Sequence, residues 1–137
     1  MLPQELPFLA TLRRELQLSS NLALNILIAE KIYGLKVVQR SNFPKARKKF
    51  FYNTRSYKKV KGKMTFTEKP LPNYVKETKN ILEKILQNDY SMFVEKHGYL
   101  YRTVVNDVEV IDDLDRSIAI ALLVNILGKG IENGNTK

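Results

Sequence analysis

The stretch YLYRTVVNDVEVIDDLDRSIAIALLVNIL, residues 99–127, changes its hydrophobic period part-way along, and that change decides the fold class. Residues 99–105 and 108–111 are rich in β-branched and aromatic side chains and flank Asn106-Asp107, the pattern of two strands around a turn. The turn lacks glycine, which leaves its loop type open. Asp112 or Asp113 then offers an N-cap for a helix running to Leu127, with Gly128 placed to end it. The middle of that helix, residues 118–124, has no polar side chain. Two fates fit such a helix: burial between the other elements, or a homo-oligomer contact through residues 114–127.

Helical periodicity returns toward the N-terminus. Asn73 is placed to cap a helix over residues 74–86, in which Val75, Thr78, Ile81, Leu82, Ile85 and Leu86 form an apolar stripe. Ser91 to Lys96 reads as a further helical turn. Pro7 opens a first helix through Leu18, with Leu9, Leu12 and Leu16 at helical spacing. The Ser19-Ser20 pair then caps a second helix from Asn21 to about Tyr33, ended by Gly34. This second helix is apolar on most sides, which suits a core and not the major groove of DNA, where polar side chains must reach base edges.

Between these helical regions the period disappears. Residues 35–38 and 49–54 have strand composition, and residues 57–67 resemble a hairpin about Lys61-Gly62, or an arm, before Pro70 and Pro72 punctuate the chain. The fold class expected is therefore α+β: three or four helices packed on a small antiparallel sheet, with a basic hairpin or arm. One globular domain over residues 1–129 and a polar, flexible tail over 130–137 complete the expectation.

Charge singles out residues 31–67. Glu30 and Glu68 are consecutive acidic residues, and the 12 lysines and arginines between them face no carboxylate in the segment. The other 11 basic and 14 acidic residues leave the remaining chain at −3 within a net +9. Arg40, Lys45, Arg47, Lys48, Lys49, Arg55, Lys58, Lys59, Lys61 and Lys63 are interleaved with aromatics, of which Phe50, Tyr52 and Tyr57 are placed to stack on bases. Cations that track a phosphate backbone release its condensed counterions, and aromatic faces reward unpaired bases. These residues mark a site for nucleic acid, DNA or RNA, or for another polyanion.

Other chemistries find little support. With no cysteine, disulfides and thiolate ligands are excluded, and with His97 as the one histidine no zinc site is expected. Asp107, Glu109, Asp112, Asp113 and Asp115 raise the idea of a two-metal nuclease, but a turn, a helix cap and the helix dipole account for them. The glycines form no phosphate-cradling loop, so no cofactor is expected. No apolar run approaches the roughly 20 residues of a membrane span, and the first positive charges come only at Arg13 and Arg14. The expectation is a cytoplasmic, non-enzymatic accessory protein that binds nucleic acid. The alternative is a structural or partner-binding subunit of a larger assembly, viral or ribonucleoprotein for example.

Overall fold

The computed structural model describes residues 7–40, 49–60 and 62–135, with the backbone alone at Pro7, Arg40, Lys49, 53–60, 63–68 and 130–135. The elements are helices α1 (Pro7–Leu18) and α2 (Asn21–Leu27), the latter widening into a π-helical turn (Ile28–Ile32). Strands β1 (Val37–Arg40), β2 (Lys49–Val60) and β3 (Lys63–Pro70) follow. A 3-10 turn (Tyr74–Lys76) leads into α3 (Thr78–Gln87), then β4 (Met92–His97), β5 (Leu100–Val105), β6 (Val108–Asp112) and α4 (Leu114–Asn135). This is an α+β fold, with helices on small antiparallel sheets. The strands divide into two sheets, ordered β1-β2-β3 and β4-β5-β6, each antiparallel throughout.

Helix α4 is the centre of the fold. Every residue from Ser117 to Val124 is at most 3% exposed, because β5 and β6 cover one side and α1, α3 and the π turn cover the others. Complete burial of such side chains contributes about 1.5–3 kcal/mol each, so this run dominates the apolar stabilisation. The homo-oligomer contact considered for residues 114–127 is not needed to cover it. Among the large apolar residues of that helix whose side chains are described, Leu114 is the exposed one, at 38%. The polar residues at the core are paired: the Thr103 and Ser117 hydroxyls lie 2.7 Å apart, and Ser117 also donates to the Leu114 carbonyl at 2.9 Å.

Arg116 pins the α1–α2 corner onto α4. Its guanidinium donates to the Gln17 and Ser19 carbonyls at 3.1 and 2.9 Å, to Asn21 Oδ1, and to the Asp112 carboxylate at 3.4 Å. Ser20 caps α2 by accepting from the Ala23 amide, as its residue type predicts. The π turn ends at Gly34, whose φ of +66° is the left-handed conformation that favours glycine.

Three expectations need correction. Ser91 to Lys96 is not a helical turn; residues 92–97 form β4, paired along its whole length with β5. Six residues are too few to nucleate an isolated helix, whereas the β5 edge offers a ready ladder. Asn73 caps no helix, since its side-chain oxygen accepts from Asn25, and the chain breaks at Glu77 between the 3-10 turn and α3. Gly128 does not stop α4. It lets α1 approach, because a Cβ there would lie 2.6 Å from Leu9 Cδ2. Gly98 forms the β4–β5 turn, with φ +65°, beside His97 at the end of β4. Among the described residues no helix is long and apolar enough to cross a membrane.

Candidate nucleic-acid interface

The basic segment is drawn out on the first sheet. Val37, Val38, Gln39 and Arg40 pair with Tyr52, Phe51, Phe50 and Lys49. Pro70, Lys69 and Glu68 pair with Phe51, Tyr52 and Asn53 on the other side of β2. Arg40 and Lys49 therefore occupy directly opposite positions in the ladder. The register shifts between Asn53 and Tyr57, so Arg55 falls in a bulge or other irregularity of β2. Beyond it, Tyr57, Lys58, Lys59 and Val60 pair with Phe66, Thr65, Met64 and Lys63, which closes the hairpin about Gly62 at φ +80°.

Of the residues read as the site, the structure brings Arg40 and Lys49 together at the sheet base, and Tyr57, Lys58, Lys59 and Lys63 together near the tip. Lys45, Arg47, Lys48 and Lys61 lie outside the described residues, as does Phe43. Lys31, Lys36 and Lys69 are exposed and extend the basic surface toward the π turn and the end of β3.

At the base the aromatics are neither free nor lost to the core. Phe50, Phe51 and Tyr52 are each half-buried. Phe50 and Tyr52 share a face with Val37, which packs against the main core. Beyond them Tyr33 and Tyr74 stack with ring centroids 5.0 Å apart, and Lys84 lies over the Tyr33 ring. Burial pushes the Tyr74 hydroxyl up to about 12, with Tyr52, Tyr33 and Glu77 adding to the effect. Burial first, then Glu77 and Glu83, also raises Tyr33. These phenols stay protonated and neutral near pH 7, so this aromatic wall carries no negative charge against a phosphate.

Beside the wall an open groove of about 480 Å³ runs between the start of α2 and the base of the hairpin. Phe50, Leu22, Pro70 and Leu71 form its apolar lining, and Asn21, Asn25 and Asn73 its polar one. Asn25 is buried and bridges two segments: its oxygen accepts from the Val75 amide at 2.9 Å and its nitrogen donates to Asn73 Oδ1 at 3.0 Å. Leu71 extends the ladder by donating from its amide to the Phe50 carbonyl at 2.9 Å. Sequence reading missed this groove, because each asparagine looks locally like a cap or turn residue and only long-range contacts assemble them.

The acidic cluster does not converge. Asp112 faces Arg116, Asp115 accepts from Thr78 and meets Lys76 at 3.6 Å, and Glu109 holds Arg102 at 3.1 Å. Glu109 and Glu95 together hold the Arg102 guanidinium above its ordinary value. Among the described residues no group of histidine and carboxylate side chains is arranged to hold a metal ion. No protein-family model, curated protein or solved structure matches the chain.

Proposed function

We propose that the chain is a non-enzymatic nucleic-acid-binding accessory protein that contacts phosphates through its Lys/Arg- and aromatic-rich segment. The observation that carries this reading is the Arg40–Lys49 cross-strand pair, within a segment holding 12 cations and no carboxylate. A segment with that charge balance favours a phosphate chain, whose condensed counterions are released on binding. Half-buried rings at the hairpin base add a surface on which bases stack if the strand is unpaired. The cytoplasmic location expected from the sequence goes with this reading. Competition binding at low salt tests it. Labelled DNA or RNA oligonucleotides bind, and polyglutamate of matched charge displaces them poorly. Absence of binding, or equal competition by polyglutamate, refutes the assignment to nucleic acid.

A second reading, a subunit of a larger assembly, draws on a different surface. Phe93 is 52% exposed and Leu100 38% exposed on the face of the second sheet turned away from α4. Light scattering after nuclease treatment separates the two readings. An assembly that persists without nucleic acid favours the second; dispersal favours the first.

A further inference from the structure

The groove beside Phe50 has an electronic character fixed by its hydrogen bonds. A guanidinium only donates, so Asn21 must turn its oxygen toward Arg116. A backbone amide only donates, so Asn25 must turn its oxygen toward Val75, which leaves its nitrogen facing Asn73. Asn73 must then offer its own oxygen to Asn25. Neither amide can flip without opposing two donors or two acceptors. The outcome is that the Nδ2 groups of Asn21 and Asn73, two residues lining one groove, have no hydrogen-bond partner among the described residues.

We infer that this groove receives an unpaired nucleobase, stacked on Phe50, with its carbonyl or ring-nitrogen acceptors meeting the amide nitrogens of Asn21 and Asn73. The inference rests on the proposal that the neighbouring hairpin holds phosphates. Two observations single out this occupant. A volume of about 480 Å³ suits a base with part of its sugar. The polar groups left over are donors, which an aliphatic side chain from a partner would leave unpaired and desolvated.

The test compares a short thymidine oligonucleotide with an abasic oligonucleotide of the same length and charge, by fluorescence anisotropy at low salt. The wild-type chain binds the base-bearing strand on the order of tenfold more tightly, the effect of one well-stacked base. Asn21→Asp and Asn73→Asp keep the oxygens that Arg116 and Asn25 require but replace the outward donors with acceptors. Phe50→Leu removes the ring while keeping an apolar wall. Each variant brings the ratio between the two strands close to one. Asn80→Asp, at an exposed position of α3 outside the groove, controls for added negative charge and leaves the ratio intact. Equal wild-type affinity for both strands, or a base preference that survives the groove variants, overturns the inference while leaving phosphate binding in place. Failure of both strands to bind overturns the nucleic-acid reading as well.

Discussion

Replacing Asn25 with leucine removes a side chain that ties α2 by hydrogen bonds to the segment leaving the first sheet. Asn25 is 6% exposed, and the Val75 amide that it accepts from belongs to a residue with no exposed surface. A buried amide deprived of its acceptor costs about 1–3 kcal/mol. The lost bond to the more exposed Asn73 adds less, and the similar volume of leucine avoids a large cavity. The net destabilisation is about 2 kcal/mol, a substantial part of the 5–15 kcal/mol typical of a domain. For a chain of this size that corresponds to a melting temperature lower by about 8 °C. Urea unfolding followed by circular dichroism reads the change, with the slope against denaturant unaltered. Hydrogen exchange gives a local signature: the Val75 amide loses protection relative to the amides of α4. A stability change below about 0.5 kcal/mol, with Val75 still protected, refutes the assignment of Asn25 as the clamp.

Arg116→Ala removes donors from two carbonyls, from Asn21 and from the Asp112 carboxylate, and lowers stability by about 3–5 kcal/mol in urea unfolding. Arg116→Lys recovers only part of that, because a single ammonium cannot reproduce the guanidinium fork. Tyr74 governs alkaline stability: with its folded value raised to about 12 against an unfolded 10, its contribution is intact below pH 10 and lost as pH climbs toward 12. Chemical denaturation between pH 9 and about 11.5 shows this decline, and Tyr74→Phe flattens it.

Legibility in the sequence followed how local the determining physics is. Residues 118–124 read either as core or as an oligomer contact, and the structure packs them at the centre of one chain. The Asn106-Asp107 turn was readable from its flanking strands, and Asn106 supplies the positive φ (+53°) that a glycine usually provides. The Lys61-Gly62 turn was equally local. By contrast, β4 is exposed at every position but Val94, so it shows no alternation and its state is set by pairing with β5. The break at Glu77 and the continuation of α4 through Gly128 depend on partners distant in sequence: Asn25 for the first helical turn and Leu9 for the last. The basic site was legible as charge, since charge needs no geometry. Its groove was not, because three asparagines from two distant segments and the orientation of two amides define it.

The salt dependence of binding tests the central claim most directly. Each phosphate contact steepens the plot of log affinity against log salt by about 0.9 for duplex and 0.7 for single strands. Replacing Lys48, Lys49, Lys58 and Lys59 together with glutamine therefore reduces the slope by about 3–4 and weakens binding to all sequences alike. If wild type and the quadruple variant bind with the same affinity and the same slope, the hairpin does not hold the phosphates and the account fails.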